Sequence, residues 1–286
     1  MALLIQFLLR LSFGLAAGMA ITSPKLVTSG YFRNHLYVTL GLTSLAALLS
    51  YSAAPEAFWY AVLAAVCSYV GSVCWLYEKT DWGIFALVFV FLASCIGAVE
   101  QKTGAIASNL YSDAFYENLH LTHEDAEPPS ADETVEEFER HQSLMFSAFA
   151  LFLFSQITSG LLLGMTMAAM LLGHWYLNSP TMELAPLKRL VLAMGAAVAL
   201  QAMVSLLGLW GEIASVAALS TQWILFVVLR WTFGLLGVGA LAWMAWQTLK
   251  IPNTQSATGI LYVAVIGTFV GETMALLLSA ESLFPL

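Results

Sequence analysis

Eight runs of apolar residues dominate the chain, at about 2–22, 36–53, 57–77, 82–100, 144–177, 187–211, 221–247 and 257–283. A bilayer core about 30 Å thick takes about 20 residues of helix to cross. Inside it an unpaired backbone polar group is so costly that only helices and closed barrels span. Continuous apolar runs of this length read as helices. Hydrophobic residues make up 60% of the chain and charged residues 10%, against about 25% charged in soluble domains. No polar block remains for a second globular domain. The expected fold class is an all-α integral membrane protein, a bundle of about eight transmembrane helices forming one polytopic domain over residues 1–286. The first run is expected to be a retained helix, because no basic stretch precedes it and Arg10 interrupts it. No internal repeat and no low-complexity tract is read.

The fifth run, at 144–177, is long enough for one tilted helix or a tight hairpin. Charge parity favours one helix. If every run crosses once, alternate joints carry Lys25, Arg33, Lys79, Lys188, Arg189 and Lys250, and the others only Lys102 and Arg140. The positive-inside rule then places both termini outside the cytoplasmic membrane. Aromatic residues fit the same depths. Trp75, Tyr77, Trp82, Trp175, Tyr176, Trp243 and Trp246 are expected at the inner boundary, and Trp59, Tyr60, Trp210 and Trp223 at the outer one.

The net charge of −8 is local: eleven of the eighteen acidic residues lie between Glu100 and Glu139. They make 101–142 an acidic extracytoplasmic loop. Ser130 and Glu133 form a capping-box pattern after Pro128 and Pro129, which predicts a short amphipathic helix leading into the fifth span. No basic patch exists, so nucleic acid is excluded as a partner. Cys67, Cys74 and Cys95 lie inside apolar runs and read as packing residues. His120 and His123, in "HLTHED", are the weak candidates for a metal site; solvated loop is the default there.

Arg10, Arg230 and Glu272, with the amides Gln156 and Gln201, are the polar side chains deep within the runs. A charge at a helix centre costs roughly 2.5–3.5 kcal/mol on insertion scales, so such groups face inward and mark pathways or sites. Each is expected about 12–20 Å from the outer end of its helix. Glycines share their faces: Gly14 and Gly18 with Arg10, Gly160 and Gly164 with Gln156, Gly234 with Arg230, and Gly271 beside Glu272. Small residues at that spacing mark close helix contact. The layer is expected to hold Arg230 and Glu272 as a pair. It reads either as bundle glue or as a ligand, quinone or proton site. Two arginines against one glutamate leave one cation over, suited to an anionic or carbonyl-bearing group.

His174, in "GHWYL", is read as the histidine well within a span, and His35 as lying at a boundary. His174 is a candidate for a quinone carbonyl or a proton relay, against a plain role at the helix end. A haem with two axial histidines is not expected, and no covalent cofactor is.

The segments "LRWTFGLLGVGALAWMAWQTLK" and "ILYVAVIGTFVGETMALLL" are similar to the closing helices of membrane anchor subunits of the DMSO reductase and polysulfide reductase type. The matching residues are Arg230, Gly271 and Glu272; Thr273 and Met274 stand where that family commonly has Gly-Arg. The resemblance covers about 60 residues. It implies eight helices, both termini outside, and a haem-free subunit passing electrons between quinol and a soluble iron–sulfur or cytochrome partner. The alternative is a transporter of small solutes or protons using the mid-membrane layer, or a structural or assembly protein.

Overall fold

A computed structural model describes the backbone at every residue except 111–130, 180–181, 216–219, 252 and 283; side chains at 102–146, 215, 280 and 281 are also outside the description. His120, His123, Pro128, Pro129 and Ser130 fall outside it. Among the described residues the chain is helical throughout, with eight helices long and apolar enough to cross a membrane. They are α1 (Ala2–Ile21), α2 (Ser29–Ala53), α3 (Pro55–Leu76), α4 (Thr80–Leu110), α5 (Ala131–Asn178), α6 (Ala185–Ser215), α7 (Thr221–Lys250) and α8 (Thr254–Glu281).

The helix boundaries have local causes. Pro55 stands at the first turn of α3, where its missing N–H costs nothing, and so ends α2. The Ser220 and Asn253 side chains cap α7 and α8 by accepting from Trp223 N at 3.1 Å and Ser256 N at 3.0 Å. The fifth run is one helix, not a hairpin, and its helical backbone begins at Ala131 and runs unbroken to Asn178.

α2 begins seven residues before the expected 36, so His35 is part of this helix. Tyr31, Phe32, His35 and Leu36 are buried on one face and Asn34 is exposed, so a polar first turn hides the helix from a hydropathy scan. His35 is the seventh residue of the helix and is buried. Two expected boundary aromatics are also core residues. Trp75 stacks on Phe32 at 4.1 Å, and Tyr176 is buried with its hydroxyl donating to the Glu183 carbonyl. Tyr77, Trp82, Trp243, Trp59 and Trp210 are exposed.

The helices form two rings of four. α1, α2, α3 and α4 pack in cyclic order, and so do α5, α6, α7 and α8. The rings meet chiefly where α1 lies on α5, the first helix of each. Their sequences align there: Arg10-Leu-Ser-Phe-Gly-Leu-Ala-Ala-Gly-Met19 against Gln156-Ile-Thr-Ser-Gly-Leu-Leu-Leu-Gly-Met165. Gly, Leu, Gly and Met coincide, and Leu/Ile and Ser/Thr replace one another.

The seam has no room for side chains. A Cβ on Gly14 would fall within the Gly160 carbonyl, and one on Gly164 within the Gly14 backbone. The crossing α1 and α5 therefore touch backbone to backbone, which levels Arg10 with Gln156.

Candidate functional site: a charged layer at the junction of the two rings

Helix α7 departs from α geometry at Arg230–Gly237, which is π-helical. Such wide turns recur at functional sites. In the same stretch Gly234 meets Gly271 so closely that a Cβ on either would collide with the other's Cα. This approach brings Arg230 to the next helix. Arg230 Nη1 lies 3.6 Å from Glu272 Oε1, and both side chains are buried, 1% and 2% exposed. At an effective dielectric of about 20, that separation corresponds to an attraction of roughly 4–5 kcal/mol, set against the desolvation of both ions.

Glu272 is held from its other side as well. Its Oε2 accepts from the Ser159 hydroxyl, and Ser159 Oγ in turn accepts from Arg10 Nη1 at 3.1 Å. Arg10 Nε donates to Gln156 Oε1 at 3.2 Å and to Gln6 Oε1 at 3.3 Å. Gln6 Nε2 donates to the Ala98 carbonyl at 2.7 Å, tying the layer to α4. Arg230 Nε donates to Ser205 Oγ at 3.0 Å, and its Nη1 reaches the Gly271 carbonyl at 3.4 Å. One carboxylate thus sits between two guanidiniums, joined to one directly and to the other through a hydroxyl.

Of the residues singled out in the sequence, Arg10, Gln156, Arg230 and Glu272 form this connected network. Gln201 is not bonded to it and accepts from the Thr158 hydroxyl. Ser205, one turn further along α6, shares its face. His174 is elsewhere: it is exposed toward the opposite end of α5, its Nδ1 3.2 Å from the Tyr262 hydroxyl. His35 Nδ1 faces the Tyr31 carbonyl of its own helix. Sequence reasoning missed Gln6, Thr158, Ser159 and Ser205. Gln6 sits four residues before Arg10, the spacing that puts two side chains on one helix face, and that spacing could have found it.

The network carries two cations and one anion. Two buried donors near it, Arg230 Nη2 and Gln201 Nε2, have no hydrogen-bond partner among the described residues. Buried donors want acceptors, so the layer suits a carbonyl, an anion or water. Glu272 is its one proton-accepting side chain, since arginine stays charged. Among the described residues no group of His, Cys, Asp and Glu is placed to hold a metal ion.

An apolar cleft of about 300 Å³ opens between α1 and α8, lined by Leu3, Leu4, Phe7, Thr273, Leu276 and Leu277. Phe7 is one turn from Arg10, and Thr273 follows Glu272. Leu4 and Thr273 are exposed, so the cleft opens on the outer surface of the bundle. No family model, no curated protein and no solved structure matches the chain.

Proposed function

We propose that this chain is the haem-free membrane anchor subunit of a redox complex, resident in the cytoplasmic membrane, that binds quinone or quinol at the layer. The observation that supports this most is the cleft: an apolar slot on the outer surface of the bundle whose lining includes Phe7, one turn from Arg10, and Thr273, next to Glu272. A lipid-soluble molecule with a long apolar tail and a carbonyl or hydroxyl head matches both parts. In quinol oxidation two electrons and two protons leave. Glu272 accepts the first proton and passes it to water before taking the second, the guanidiniums stabilise the deprotonated quinol oxygen, and the two electrons pass to a soluble iron–sulfur or cytochrome partner docked at the acidic 101–142 segment. The resemblance of α7 and α8 to anchor subunits points the same way.

The test is a quinone analogue carrying a photoreactive group, added to the chain in native lipid. Adducts are expected on peptides of α1 and α8, reduced at least tenfold in Arg10→Gln. Label spread evenly over all eight helices would sink the proposal.

The partnerless buried donors Arg230 Nη2 and Gln201 Nε2 favour a second reading. Buried charged residues in a bundle of apolar helices also mark substrate and ion pathways. Uptake of a small anion into proteoliposomes, with no quinone adduct on α1 or α8, would establish that reading instead.

Orientation is tested separately. Single cysteines placed in 101–142 should react with an impermeant thiol reagent added outside, whereas one beside Lys188 should not. Equal reactivity at both sites would overturn the proposed topology.

A further inference from the structure

The face of α6 that carries Gln201 and Ser205 continues to Gly208 and Glu212. Steps of four, three and four residues keep all four on one narrow stripe. The stripe starts at the charged layer, where Ser205 holds Arg230. From Ser205, seven residues at about 1.5 Å each carry it roughly 10 Å toward the end of the bundle that holds both termini. Glu212, buried among apolar helices, stands at that end. Nothing in the layer's own chemistry requires a carboxylate there.

The stripe is covered by the chain's own last residues. The Glu212 carboxylate accepts from Phe284 N at 3.0 Å. The Phe284 ring lies on Gly211, and the Pro285 carbonyl occupies the place a side chain at position 208 would take. Phe284 and Leu286 are both buried. The missing side chain at Gly208 makes a groove, and the segment 284–286 fills it. At the groove's inner end lie the partnerless donors of Arg230 and Gln201. A polar groove with a carboxylate at its mouth and partnerless donors at its foot is suited to a file of water.

We propose that the α6 stripe from Glu212 to Gln201 is an access path for water and protons between the termini side of the membrane and the Arg230–Glu272 pair, and that segment 284–286 is its stopper. The path deepens the quinol reading, since protons released at Glu272 need a route out. Its test involves no quinone, so either can fail alone.

Ser205→Cys is read in the full-length chain in proteoliposomes with a small impermeant methanethiosulfonate. Modification is quantified on the α6 peptide by mass spectrometry, which keeps Cys67, Cys74 and Cys95 out of the signal. Two changes loosen the stopper without touching α6: Phe284→Ser and, independently, Leu286→Asp. Size-exclusion profiles identify the folded fraction used. Either change should speed labelling of S205C at least tenfold. Leu206→Cys, on the lipid-facing side of the same turn at 57% exposure, should not change. Slow labelling of S205C in both loosened forms, or an equal rise at L206C, overturns the path. Fast labelling of S205C with the native tail overturns the stopper.

Discussion

Glu272→Gln is expected to be the most damaging single substitution in the molecule. It leaves Arg230 and Arg10 buried with no counter-charge, raising the layer from one excess positive charge to two. Removing one partner of a buried pair costs about 3–5 kcal/mol, because the survivor is desolvated and unpaired. The expected result is loss of most folded protein from mild-detergent extracts, read by size exclusion and thermal unfolding. Adding Arg230→Gln returns the layer to one excess charge and should recover most of that loss. Arg10→Gln alone leaves the Arg230–Glu272 pair neutral and should cost less than Glu272→Gln. If E272Q unfolds at the same temperature as the parent, the pair contributes little and the layer is not held by charge. Recovered folding in the double variant without quinone adducts on α1 and α8 would tie the pair to binding as well.

The second large effect concerns the seam. Gly14→Ala or Gly164→Ala inserts a Cβ into backbone atoms of the facing helix. Those atoms cannot step aside as a side chain can, so α1 and α5 must separate. Overpacking typically costs about 1–3 kcal/mol; with no side chain to yield, the upper end is expected. Separation also pulls Arg10 from Gln156 and Ser159, so quinone labelling should fall with stability. Gly41, Gly195 and Gly259 have open space around the same added atom. Alanine there should leave the melting temperature within about a degree, since surface changes away from such features are usually within about 0.5 kcal/mol. A uniform response across both sets of glycines would refute the close-contact account.

The sequence disclosed the layer better than its wiring. Arg10, Arg230 and Glu272 stood out because a charge in an apolar run is rare and expensive. Their shared depth followed from counting residues. Ser159 and Ser205 did not stand out, although they join the ions into one network. A hydroxyl in an apolar helix usually bonds its own preceding turn, as Ser12 and Ser68 do here with Leu8 and Ala64, so its presence says little. The π-helical turn at Arg230 was illegible for a different reason: no hydropathy pattern in the run marks it. Glu212 was passed over because it lay near the expected end of its span, where a carboxylate costs little. Hydropathy was enough to find all eight long helices, though not the polar first turn of α2.

Order of synthesis gives the Gln6–Arg10 contact a further meaning. Arg10 lies in α1 and Glu272 in α8, 262 residues later. At about 5–20 residues per second, the arginine leaves the ribosome roughly 15–50 s before its counter-ion exists. Through that interval a polar group on its own helix can accompany it, and Gln6, one turn away, is already bonded to it in the finished protein. Gln6→Leu should therefore weaken membrane integration of the nascent N-terminal helix more than it weakens the completed bundle, where Gln156 and Ser159 share the guanidinium.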